Sequence, residues 1–280
     1  MERIIIQGFL LSGLYALIAM GFTMIYGVGR VLNLAHAGYV MVAGYMFYMS
    51  WQVLNLPMGV AFLIAIATST GLAIATYMGF VRRFLYNPTV VFVATFVLAL
   101  IMDYSMILFF HTENINVWPI VRGVTRAYGY GVSNNLIVAL IVSWACIAGV
   151  LLFVRKTHIG RAMRALAMDR KGAIISGINP DRVNLMTWAI SGALAGVAGI
   201  FYASYTYLVP PMWMMPLIMS FAIVIIGGLG SIVGTIAGAH IVGFMETTTT
   251  LAIDGSLRGV FAMVIMIVVL VARPKGLFGR

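Results

Sequence analysis

Residues 135–182 read NLIVALIVSWACIAGVLLFVRKTHIGRAMRALAMDRKGAIISGINPDR. The first part, Leu136 to Val154, carries no charge. The second carries seven basic residues (Arg155, Lys156, Arg161, Arg164, Arg170, Lys171, Arg182) against Asp169 and Asp181, a balance of +5. A helix crossing about 30 Å of hydrocarbon needs about 20 apolar residues at about 1.5 Å each, a length that residues 135–154 meet. The basic stretch behind them then marks the cytoplasmic side, where Lys and Arg concentrate in membrane proteins.

The same ruler applied outward gives further spans near 4–28, 35–51, 58–80, 90–110, 185–208 and 258–272. Composition agrees: 62% of the 280 residues are hydrophobic and 9% charged. Soluble domains run near ~45–50% apolar and ~25% charged, so this chain lacks the polar surface to face water all round. The formal charge of +10 does not indicate nucleic acid, because the seventeen basic residues lie mostly between apolar runs. The apolar stretch from Ile4 follows Glu2 and Arg3 rather than a basic leader, so it reads as a first span and not as a cleavable signal. The single cysteine, Cys146, permits no disulfide within the chain and reads as a small apolar residue in a span.

Charge also sets the topology. With residues 155–182 inside and the tail (Arg273, Lys275, Arg280) also inside, an even number of crossings must separate them. The spans at 185–208 and 258–272 supply two. The intervening apolar segment, broken by Gly227-Gly228-Leu229-Gly230-Ser231, therefore enters and leaves on the outer side as a re-entrant hairpin over 217–246, with its turn at membrane depth. This arrangement puts thirteen basic residues inside and four outside (Arg3, Arg122, Arg126, Arg258). The expected fold is an all-α integral membrane protein of about eight membrane segments, one domain over 1–280 with an inner loop at 155–184.

Motifs for catalysis are missing. The chain has no G-x-x-x-x-G-K-[ST] phosphate loop, no H-E-x-x-H, no Cys/His metal spacing and no G-x-S-x-G. Neither enzyme activity nor a cofactor or metal is expected. Energy for uphill work would have to come from a partner or an ion gradient.

The inner loop is far longer than a connector needs. It favours helix from Arg161 to Ser176 and stops at Gly177 and Pro180. Met163, Leu166, Ala167 and Ile174 make it amphipathic, which fits either a helix lying on anionic headgroups or one docking on a cytoplasmic partner. In the broken segment, Gly228 and Gly230 permit turn geometry and Ser231 can cap the next helix. A helix break at membrane depth lines a watery cavity or is buried in protein. Gly234 and Gly238 equally suit close helix packing. Asp103, inside a span, needs a partner or a cavity. Asn33, His36, His240 and Glu246 are comparable; Asn33, His36, Asp103, Gly228, Gly230, Ser231 and Glu246 are the candidates for a substrate path, and Glu246 also fits an outer membrane boundary.

The run Gly160-Arg161-Ala162-Met163-Arg164-Ala165 … Asp169 … Gly177-Ile178-Asn179 resembles the coupling loop of permeases in branched-chain amino acid ABC importers. Four further stretches agree: Gly27-Val28 … Asn33-Leu34-Ala35-His36; Ser191 to Gly199; Gly227 to Gly234; and Arg273-Pro274-Lys275-Gly276-Leu277-Phe278-Gly279. The resemblance covers essentially the whole chain. One departure is Ala37-Gly38 after His36, where the family often has Gly and an acidic residue. The resemblance implies a permease subunit of the inner membrane. Its partners would be two cytoplasmic ABC ATPase subunits that use the ATP, a second homologous permease and a periplasmic or extracellular solute-binding protein. It also implies that Gly160, Arg161, Arg164, Asp169 and Gly177 serve ATPase coupling. Branched-chain or related small amino acids would be the cargo, with urea or amides as alternatives. An ion-coupled transporter titrating at Asp103 or Glu246 is the rival from another class.

Overall fold

A computed structural model of the protein describes residues 2–127 and 129–279. Arg280, counted above with the basic tail, lies outside the described residues. The chain is a helical bundle with α1 (Glu2–Gly29), α2 (Ala35–Tyr48), α3 (Met58–Thr76), α4 (Arg82–Phe84) and α5 (Pro88–Phe110) in its first half. A wide turn joins α3 to α4, making one continuous helix from Met58 to Phe84. Then come α6 (Asn134–Lys156), α7 (His158–Met168), α8 (Arg170–Ile175), α9 (Pro180–Tyr205), α10 (Met214–Gly227), α11 (Ile232–Thr248) and α12 (Val260–Ala272). Among the described residues six helices are long and apolar enough to cross a membrane by length and composition, the one that includes α10 running from Pro210, and α12 is a shorter apolar helix.

Burial sorts them into two shells. α1, α9 and α10 are mostly enclosed, while α3, α5 and α6 bury one stripe each and leave the rest apolar and exposed, as a lipid-facing surface requires. The stripe on α3 is Ala61, Ala65, Ser69 and Ala73, small residues one turn apart. It lies against Gly192 and Gly196 of α9, where a Cβ would meet the backbone of Ser69, Thr70 and Ile66. The Ser69 hydroxyl donates to the Gly192 carbonyl at 2.7 Å across this contact. Small residues let membrane helices approach this closely, so dispersion and polar contacts replace the hydrophobic drive that lipid cannot provide.

The inner-side residues assigned by charge gather at one end of the bundle. The Arg30 Nη2 donates to the Ala167 carbonyl at 3.1 Å, Arg82 pairs with Asp181 at 2.8 Å, and the Arg170 guanidinium lies 4.7 Å from the Tyr86 ring. The outer-side residues gather at the other end. There Asn135 Nδ2 donates to the Ser204 hydroxyl at 3.0 Å, Ile115 bridges Leu208, and Arg258 lies over Tyr205.

Three differences from the sequence reading have physical causes. The outer segment 111–134 carries an antiparallel hairpin, β1 (Val124–Ala127) on β2 (Tyr130–Ser133), with four residues in each strand, too short for alternation to show. α9 begins at Pro180, five residues before the apolar run. The Asn179 side chain accepts from the Asp181 and Arg182 amides and starts the helix in polar sequence. The inner loop is two helices, not one, because Asp169 leaves helical geometry (φ −145°, ψ 107°) and caps α8 through the Lys171 amide at 2.9 Å.

Candidate functional site

The inner loop leaves α6 through a capped turn and packs back on the bundle. The Thr157 hydroxyl accepts from the Gly160 amide at 2.9 Å, capping α7. A side chain at Gly160 would strike the Phe153 and Val154 backbone, so glycine permits the sharp change of direction from α6 to α7. Met163 and Leu166 of α7 and Ala173 of α8 are buried. Arg161, Arg164 and Asp169 are exposed. Gly177 ends α8 at φ +81°, its amide donating to Ile174 O at 3.0 Å while the Ile178 amide donates to Ala173 O at 3.0 Å. No atom lies near its hypothetical Cβ, so the demand for glycine here is conformational.

Of the five coupling candidates, Gly160, Asp169 and Gly177 shape the backbone, and Arg161 and Arg164 present charge. Sequence reasoning missed the apolar part of this face. Met168 and Ile175 are each 87% exposed, though they stand on a loop among charged groups rather than on a lipid-facing span. The available signal was their offset from the Met163–Leu166 stripe that turns inward.

The glycine turn joins this region. The Ser231 hydroxyl accepts from the Gly234 amide at 3.0 Å, the cap that the sequence suggests. Gly228 and Gly230 hold φ of +101° and +82°. The tail anneals to the turn, with the Leu277 amide donating to Ile226 O at 2.8 Å and the Phe278 amide to Gly227 O at 3.0 Å. Tyr26, Arg30, Ala167, Gly230, Ser231 and Phe278 line a cavity of about 350 Å³. The sequence reading puts this turn at membrane depth. In the structure it stands among Arg30, Ala167 and the tail.

The buried polar candidates do not form one site. His36 is enclosed between α1 and α9, with Nε2 at 2.9 Å from the Ile18 carbonyl and Nδ1 at 3.2 Å from the Ser191 hydroxyl. The Asn33 amide is buried beside the Tyr39 hydroxyl, which also faces Thr76, and the buried Asp103 carboxylate faces Trp213. Glu246, 3% exposed, has partners of its own: Oε1 accepts from Arg258 Nε at 2.7 Å and Oε2 from the Gly259 amide at 2.9 Å. Among the described residues no group of three His, Cys, Asp or Glu could hold a metal ion.

A two-shell helical bundle with an amphipathic, basic inner loop defines a multi-pass inner-membrane transport permease. The chain belongs to the family described as branched-chain amino acid transport system / permease component, which matches residues 4–270. It is 30% identical to the high-affinity branched-chain amino acid transport system permease protein LivH of Escherichia coli K12, over 98% of this chain and 94% of that one. It is 26% identical to BraD, the corresponding permease of Pseudomonas aeruginosa, over 99% and 95%. A more distant similarity is to the fructose import permease protein FruF of Bifidobacterium longum, 26% identical over 94% of this chain and 76% of that one. No solved structure matches.

Proposed function

We propose that the chain is the membrane-spanning subunit of an ATP-binding-cassette importer for branched-chain or related small amino acids. Two cytoplasmic ATPase subunits drive it, a second permease of the same kind completes the path, and a solute-binding protein delivers the ligand from outside. The observation that carries this reading is the inner loop. Its exposed face combines Arg161 and Arg164 with Met168 and Ile175, both 87% exposed. A helix resting on lipid would bury such apolar side chains in the headgroup boundary with the basic residues flanking them. Here the buried stripe (Met163, Leu166) already faces the bundle, so the outward apolar residues suit a protein groove.

Movement of the ATPases would reach the path through two links. Gly160 sets α7 tightly against the end of α6, and Arg30 ties the end of α1 to Ala167. The glycine turn beside them supplies backbone that can rearrange without steric penalty. Catalysis stays in the partners, and this chain supplies the path and the coupling surface.

The test is uptake of labelled leucine by the reconstituted complex in proteoliposomes. Import that requires ATP inside the vesicles and is indifferent to H⁺ and Na⁺ gradients supports the reading. Import driven by a gradient without ATP contradicts it.

A further inference from the structure

At the outer end, Arg258 stands between two cavities. One, of about 190 Å³, lies on the α1–α6 side, and the other, of about 270 Å³, lies beneath the link from α9 to α10. The second has walls of two kinds. Arg258, Tyr202 and Thr206 bring polar atoms to it, and Val209, Met212 and Met215 are apolar.

The chemistry of Arg258 is arranged in advance. Both Glu246 oxygens are occupied, one by Arg258 Nε and the other by the Gly259 amide. The carboxylate therefore neutralises and orients the guanidinium; Glu246 borders the 190 Å³ cavity but not the 270 Å³ one. The Tyr205 ring lies 5.7 Å from the guanidinium carbon, and the Tyr15 hydroxyl is 3.5 Å from Nη2. The side chain keeps 29% exposure, against 3% for Glu246. A clamp on the 254–259 loop would need only the Glu246–Gly259 contact. An arginine backed by a buried acid and lining open space is instead suited to a carboxylate, which can meet its N–H groups as a fork.

Resting on the proposed function, we infer that this cavity is the receiving site for an aliphatic α-amino acid on the outer side. The carboxylate lies on Arg258, and the hydrocarbon side chain lies against Val209, Met212 and Met215. The aromatic faces of Tyr202 and Tyr207, which also line the cavity, suit the ammonium. Methionine walls adapt to branched side chains of differing shape. A polyhydroxylated solute would leave the apolar wall unmatched.

The experiment measures saturable binding of tritiated leucine to the purified, assembled transporter without its solute-binding protein. Competitors are isoamylamine, which lacks the carboxylate, and unlabelled leucine. Met215→Trp fills the apolar end. Glu246→Gln combined with Arg258→Gln removes the charge without stranding a lone buried ion. Each variant is expected to weaken leucine binding by about tenfold or more at unchanged thermal midpoint, and the double variant to lose the preference for leucine over isoamylamine. Val209→Phe decides the matter should Met215→Trp fold poorly. Binding within about twofold of wild type in the well-folded wall variant, or equal competition by isoamylamine in wild type, overturns the inference. ATP-driven leucine uptake by the wild-type complex is measured in parallel. Its absence removes the proposed function, whereas uptake together with binding indifferent to the cavity removes this inference alone.

Discussion

Gly177 and Gly160 are both glycines of the inner loop, and they are needed for different reasons. Gly177 must hold φ +81° with open space around it, while Gly160 must avoid backbone atoms of α6. Asparagine tolerates left-handed geometry and a β-branched residue does not. Gly177→Asn should therefore leave coupling near wild type, and Gly177→Val should strain the end of α8 by about 1–2 kcal/mol. Amide hydrogen exchange at Ile178, whose donor closes the turn, checks this: faster exchange in the valine variant alone is expected. Both glycines were legible in the sequence as signals, but only coordinates separate conformational need from steric need. His36 shows the opposite limit. A lone histidine beside a glycine-broken helix reads as a path residue, yet its two nitrogens are held between the Ile18 carbonyl and the Ser191 hydroxyl, partners about 18 and 155 positions away.

At the level of elements, the spans were readable because lipid imposes a length and an apolar composition. Boundaries set by polar caps were not, as Asn179 before α9 and Asp169 before α8 show. The seating of the tail was also invisible. Nothing in Gly276-Leu277-Phe278-Gly279 announces that its amides anneal to the carbonyls ending α10. Helix C-termini leave carbonyls without intrahelical donors, and here a distant segment supplies them. Removal of residues 275–280 should cost about 1–2 kcal/mol from the two lost backbone hydrogen bonds. It should also raise hydrogen exchange at the glycine turn while sparing α3 and α5. Exchange unchanged at residues 227–231 would mean the tail contact is incidental.

Across the whole molecule, charge is what assigns the two ends. Seventeen basic residues divided thirteen to four, and Arg30, Arg82 and Arg170 then proved to be spatial neighbours of the same inner-end elements. In a Cys146→Ala background, a membrane-impermeant maleimide added to intact cells should label Glu113→Cys and spare Ser176→Cys, since both positions are exposed but lie at opposite ends. The outer receiving cavity was not legible at all. Arg258 counted only as one of four outer basic residues, because it stands in the turn before α12 while its acid, Glu246, sits on α11, and the cavity walls come from α9, α10 and the link between them.

The central claim is that the inner loop transmits ATP hydrolysis to the path, and the coupling ratio tests it most directly. Leucine imported per ATP hydrolysed is measured in proteoliposomes for the assembled complex, wild type against Arg161→Glu combined with Arg164→Glu. These two exposed side chains hold up no buried part of the fold, so assembly should persist. The account predicts continued ATP hydrolysis with the import ratio falling by about tenfold or more. A wild-type ratio in the charge-reversed complex would contradict it.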